Sequence, residues 1–373
     1  MKIDKTRSLD YWYVAKFVAI FGVVIDHSQY FMQSSPWFNL IRFWIFSFFL
    51  QVFFFSPGAI DYWKSIPHPI GGFPLRVLHR AEQILVPYCL WCVVLSKSVI
   101  NLDFWKGILY GTEESLSNAG INSVLWFLPV MFVSSVYYDL VMAMTNKVKE
   151  KLKVLLCVGE SFLLAGFSDF VCQNFPNLPF GVGISFMGCA LMILGYAFQS
   201  LWCRFERLSK PLKRLAVLFF FILSVDLAFI GCPVTLNNEE VVLASKGIWM
   251  AHGQFGTHWI VFLAESLVST SFVLLLSMLL ESNTALVFYG KNTLIIMAAH
   301  GIVYPAAVRL SGNLFEKELI CQIASALLAC LLCTPIIAVG RRYLPGLCGH
   351  SPSTTIKQQE KQQRRVQHER NKM

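Results

Sequence analysis

Charge is what this sequence has least of. Asp, Glu, Lys and Arg make up 14% of the chain, against about 25% in an ordinary soluble domain. So few charges cannot coat a water-soluble globule of 373 residues, which excludes a soluble enzyme or binding module. Acidic residues are the scarcer sign, 22 against 31 Lys and Arg, leaving a net charge of +9. Nucleic acid is not the partner this surplus implies. The basic residues sit in segments between apolar runs, where the positive-inside rule puts them. A metal site also lacks its ligands: Cys330 and Cys333 have C-x-x-C spacing, but no second Cys or His pair accompanies them. Other cysteines, such as Cys89, Cys92, Cys157 and Cys189, lie inside apolar runs, where a thiol packs as a small hydrophobe. There is no internal repeat and no soluble domain. A cleavable signal peptide is not expected, because the first apolar run is too long and has no small-residue cleavage site.

Apolar sequence is what remains. Hydrophobic residues make up 55% of the chain and its mean hydropathy is +0.56. Ten runs approach the roughly 20 residues that a membrane-spanning helix needs. They lie near 11–33, 40–60, 82–100, 123–143, 153–170, 180–199, 215–232, 258–280, 284–304 and 318–340. Continuous apolar runs fit helices, since a barrel strand would alternate. The expectation is an all-α integral membrane domain over residues 1–343 with about ten transmembrane helices. A basic, Gln-rich tail (344–373) follows, expected to be disordered in the cytoplasm beside anionic lipid.

The loops orient the chain. With the N-terminus in the cytoplasm, 24 of the 31 Lys and Arg fall on the cytoplasmic side. Only Arg42, Lys97, Lys106, Lys246, Arg309 and Lys317 fall on the other, and Lys16 lies within the first span. Both termini are then cytoplasmic. The expected setting is the plasma (inner) membrane of a bacterium, crossed many times, with the bilayer itself as a partner.

Ionisable residues inside spans are costly and are candidates for function. The first span reads K-F-V-A-I-F-G-V-V-I-D-H, with Lys16, Asp26 and His27. Eleven residues of helix make three turns plus about 20° and roughly 16 Å of rise, so Lys16 and His27 share a face. A cation at the cytoplasmic mouth and a proton acceptor deeper in would suit a long, phosphate-bearing donor. The same spacing also fits a lysine snorkelling to the interface and a histidine bonded to a neighbouring helix. Asp26 lies about 100° round the helix from His27, so the partner orienting the imidazole could come from another span. His300, about sixteen residues into the ninth span, reaches a similar depth. It could share the site or be a satisfied structural histidine.

An ordered set of landmarks accompanies this pair. F-F-L-Q-V-F-F-F-S-P-G spans 48–58, R-V-L-H-R-A-E-Q-I-L-V-P-Y spans 76–88, and L-W-F-L-P spans 125–129. F-Y-G-K-N-T-L-I-I-M-A-A-H spans 288–300. Together they resemble the acyltransferase-3 family over roughly residues 8–340. L-P-F-G followed by G-C-A-L-M-I-L-G-Y (178–196) is most similar to its fucose O-acetylase-like branch. Lys16 stands where many members have Arg, Pro57 interrupts the Ser-Gly pair, and Asp10 is six residues before Lys16.

The resemblance implies transfer of an acetyl group from cytosolic acetyl-CoA to a hydroxyl of a cell-surface or lipid-linked carbohydrate. It makes His27 the catalytic base and Lys16 its paired cation. A sugar hydroxyl is a weak nucleophile at neutral pH, and an imidazole can take its proton. Arg76, Arg80 and Lys291 are candidates for the CoA phosphates. Trp126, Asn122 and His252 are candidates for the acceptor, Trp126 also suiting an interfacial belt. His252 lies in the polar segment 233–257, one of two large outward loops with 97–122. The competing function class is a transporter or flippase for a polar solute or a lipid-linked glycan.

Overall fold

The computed structural model describes residues 9–32, 36–96, 101–237, 240–243, 247–315 and 318–349. Among them, seven helices are long and apolar enough to cross a membrane. Five are single helices: α8 (Glu150–Asn174), α9 (Val182–Phe205, with a leading turn from Pro179), α10 (Lys210–Gly231), α11 (Trp259–Leu280) and α13 (Thr293–Gly312). A sixth is α7 (Phe127–Met144), extended by a 3-10 turn from Ser123. The seventh joins α14 (Glu318–Leu332) to α15 (Thr334–Tyr343).

Three of the ten expected runs take another form near the N-terminus. α1 (Asp10–Asp26) has 17 residues and passes into a 3-10 turn at His27–Tyr30. The run near 40–60 breaks between α2 (Pro36–Ile45) and α3 (Gln51–Lys64). The Ser47 hydroxyl donates to the Trp44 carbonyl and the Gln51 amide to the Phe46 carbonyl, so backbone groups freed by the break are satisfied. α4 (Phe73–Val94) starts earlier than expected, with Pro74 in its first turn, and carries Arg76 and Arg80 as helical residues. The ninth run is also divided. α12 (Thr284–Lys291) stops at Asn292, whose amide donates to the Phe288 carbonyl, and α13 begins afresh.

α9 is the central helix, with 83% of its apolar window buried, whereas α10 lies at the rim with 17%. Apolar burial cannot drive helices together when lipid is the solvent, so close backbone approach does more of the work. Gly58 and Gly195 provide it. A Cβ on Gly58 would strike the Met192 carbonyl, and one on Gly195 would strike the Phe55 carbonyl. The Phe-rich landmark therefore locks α3 onto α9. Trp202 completes this contact, edge-on to Trp12 and Phe55, with its indole N–H donated to Ser271 Oγ at 2.9 Å.

At one end, short helices α5 (Leu102–Tyr110) and α6 (Glu113–Asn118) lie near a segment expected to be loop. That segment holds two antiparallel pairs. β1 (Val234–Asn237) runs against β2 (Glu240–Leu243), and β3 (Ile248–Trp249) against β4 (Gln254–Phe255). The opposite end carries the basic connections. Of the tail, residues 345–348 form a 3-10 turn fastened by the Trp91 indole N–H to the Leu347 carbonyl at 3.0 Å, so order extends past the expected boundary. Residues 350–373, expected to be disordered, lie outside the described residues.

Candidate active site

α1 stops at Asp26, and the tighter turn that follows presents His27 to α13. His27 Nδ1 lies 2.7 Å from His300 Nε2, with the ring centroids 4.9 Å apart. His300 is buried, and its Nδ1 lies 3.0 Å from the Ile296 carbonyl. A carbonyl only accepts, so His300 Nδ1 carries the hydrogen. In the neutral pair His300 Nε2 is then an acceptor, and His27 Nδ1 must donate to it. The lone pair of His27 is thereby left on Nε2. The partner from another span is His300.

Asp26 does something else. Arg42 of α2 donates to Asp26 Oδ1 through Nε at 2.9 Å and Nη2 at 2.7 Å. The pair is largely shielded, with the side chains 11% and 13% exposed. Arg42, which sequence reasoning treated only as a loop charge, thus fixes α2 against the end of α1.

His27, Asp26 and Arg42 border a cavity of about 540 Å³. Much of its wall is apolar, including Phe46, Phe49, Phe53, Phe127 and Met131. Towards the hairpin end the wall includes Tyr30, Glu113, Trp126, Trp249 and Gln254. Trp126, a candidate for the acceptor, is thus one of the wall residues. Asn122 and His252 are not on the wall. Asn122 caps the turn before α7, accepting from Val124 N at 3.1 Å, and its amide lies beside Gly301. His252 Nε2 pairs with Glu113 at 3.3 Å and its ring stands edge-on to Trp249. Burial pushes the Glu113 carboxyl above its ordinary value, against the opposing pull of His252.

At its other end the cavity reaches Ile20, Ile84 and Thr293. Each is close to an expected cation. Lys16 is one turn before Ile20, continuing the row Ile20–Val23–His27 on the face of α1. Arg80 is one turn before Ile84 on α4, and Lys291 is two residues before Thr293. None of the three forms the wall itself. Lys291 rests over the Tyr13 ring at 4.9 Å.

Arg76 and Arg80 belong to a buried cluster that sequence reasoning missed. Arg76 Nε and Arg80 Nε lie 3.8 and 4.0 Å from the two oxygens of Asp139 on α7. His68, between α3 and α4, bridges Asp139 at 3.1 Å and Asp61 at 3.3 Å. Burial alone would lower the His68 imidazole. The two carboxylates outweigh it and hold the ring above its ordinary value. Asp139 is a lone acid in an apolar span, a signal that could have exposed the cluster.

The acyltransferase-3 acyltransferase domain matches residues 9–339. The chain belongs to the acyltransferase-3 family. This acyltransferase is a multi-pass membrane enzyme, which disposes of the transporter reading. No curated protein and no solved structure matches the chain. Among the described residues, no group of three or more His, Cys, Asp or Glu could hold a metal ion.

Proposed function

We propose that this acyltransferase moves an acetyl group from acetyl-CoA to a carbohydrate hydroxyl, with His27 as general base. The supporting observation is the bonded pair His27–His300, which directs the imidazole and leaves Nε2 basic. The basic end of the cavity is proposed to face the cytosol of a bacterial cell, as the distribution of Lys and Arg favours. The hairpin end then faces outward, towards a cell-surface or lipid-linked glycan, in keeping with the fucose O-acetylase-like landmarks.

The residues present fit the donor. Arg76 Nη2 is buried and makes no hydrogen bond among the described residues, leaving a guanidinium donor for a phosphate oxygen. Lys16, Arg80 and Lys291 approach the same end from three helices. The phenylalanine-rich wall suits an uncharged, flexible arm. Acetyl-CoA supplies an activated thioester. His27 Nε2 accepts the acceptor's hydroxyl proton as the ester bond forms, and returns it to the departing sulfur as the C–S bond breaks. His300 is a positioning residue: its Nε2 accepts more strongly as His27 gains charge. The Asp26–Arg42 pair holds the turn that carries His27.

The reading is tested with purified protein in lipid nanodiscs, labelled acetyl-CoA and a panel of glycans. Label moving to a glycan with wild type and not with His27→Ala supports it. Equal transfer by His27→Ala refutes the assignment of the base.

A further inference from the structure

The hairpin β3–β4 carries a side-chain pattern that the chemistry above leaves unused. Ile248 faces Phe255 across the ladder, and Trp249 faces Gln254. Successive strand residues point to opposite faces. Ile248 and Phe255 are buried, 5% and 3% exposed, and anchor the hairpin. Trp249 and Gln254 are therefore presented together on the other face; both are on the cavity wall, which Ile248 also reaches from the anchoring side. Trp249 keeps 53% of its surface exposed.

This pair is held in place before any ligand arrives. Gly253 adopts φ +65°, and a Cβ there would strike Cys172 of α8, so the turn seats tightly. On the other side, His252 pairs with Glu113 of α6 and stands edge-on to Trp249 at 4.5 Å between ring centroids. An ordered indole beside an amide and a carboxylate is a rigid amphipathic surface. It offers a flat face to C–H groups and directional partners to hydroxyls. Tyr30, 67% exposed and 5.7 Å from the His27 ring, stands on the wall as well.

At this end the Arg42 guanidinium is taken by Asp26, and the other wall carboxylate, Glu113, lies 3.3 Å from the His252 ring. Among the described wall residues no free cation remains to receive an anionic ligand.

We propose that Trp249 and Gln254, braced by Glu113 and His252, form the acceptor subsite, and that it takes an uncharged pyranose and discriminates against sugar acids. The pyranose stacks on the Trp249 indole, and its hydroxyls bond to Gln254 and Glu113. The proposal rests on the carbohydrate reading above.

Two measurements separate this subsite from that reading. Saturation-transfer NMR on the protein in nanodiscs, with a panel of methyl hexopyranosides and the matched hexuronosides, reports binding without turnover. Acetyl transfer to the same panel is followed in parallel. We expect binding of at least one neutral glycoside, at least tenfold weaker in Trp249→Ala, and at least tenfold weaker binding of its hexuronoside to wild type. Trp249→Phe, which keeps a flat ring, should recover at least part of the glycoside binding, and a thermal midpoint of Trp249→Ala in nanodiscs close to that of wild type shows that the variant is folded. Unchanged glycoside affinity in Trp249→Ala, equal affinity for the hexuronoside, or no glycoside binding at all would overturn the subsite. Trp249-dependent binding without transfer would leave the subsite standing and remove the proposed reaction. Transfer that ignores Trp249 would do the reverse.

Discussion

His27 donates through Nδ1 to His300 Nε2 across 2.7 Å, joining residues 273 positions apart. The two histidines are not equivalent. His300 is tied to its own helix through the Ile296 carbonyl, whereas the Nε2 of His27 keeps its lone pair.

His300→Ala is expected to lower kcat about a hundredfold, the lower range of a general base's contribution, with little change in KM. His300→Gln should recover part of the loss, because its amide can donate to Ile296 and accept from His27. A mere packing role for His300 would show no such recovery. Steady-state kinetics of the two variants decide it.

Asp26 and Arg42 form a shielded ion pair. Removing Arg42 strands a carboxylate, at a cost of about 3 kcal/mol. Arg42→Met should therefore lower the thermal midpoint in detergent, and Asp26→Asn in the same chain should restore much of it. Additive losses in the double variant would show that the pair is not coupled.

Gly58→Ala forces a methyl group into the Met192 carbonyl, and overpacking of this kind costs about 1–3 kcal/mol. Gly159 on α8 has nothing within 4 Å of its would-be Cβ. There alanine is expected to stabilise, by up to about 1 kcal/mol, through helix propensity. Denaturation of the two variants side by side tests whether α3 and α9 meet backbone to backbone.

His68 is raised in the folded protein by Asp139 and Asp61. A histidine whose folded value lies above its unfolded one stabilises fully below the unfolded value. That contribution is lost as pH rises through the folded value. The gap in thermal midpoint between wild type and His68→Asn should thus be largest below about pH 6.5, the unperturbed value, and shrink at higher pH. A gap that widens with pH would mean that His68 is neutral in the fold.

Arg80→Gln is expected to raise KM for acetyl-CoA about tenfold, roughly 1.4 kcal/mol, and to leave KM for the acceptor unchanged. The opposite split would move the donor away from this end of the cavity.

Much of this was legible in one dimension. Apolar runs and sparse charge identify a helical membrane protein, because a bilayer admits few ways to satisfy a backbone. Helical spacing put Lys16 and His27 on one face, and Ile20 and Val23 between them line the cavity on that face. Order along the chain was enough for the family. Local periodicity could not show where a run would break. The stop before Gln51 and the restart after Asn292 depend on side chains finding particular carbonyls.

The pairing of His27 with His300, the grip of Arg42 on Asp26 and the meeting of Arg76, Arg80, His68 and Asp61 around Asp139 came only with packing. So did the indole and amide of β3 and β4, whose strands are too short to register as a pattern. Spacing along one helix sets which residues share a face. Which groups from separate helices come within 3 Å depends on how closely the backbones approach, and here paired glycines and matched carbonyls govern that approach.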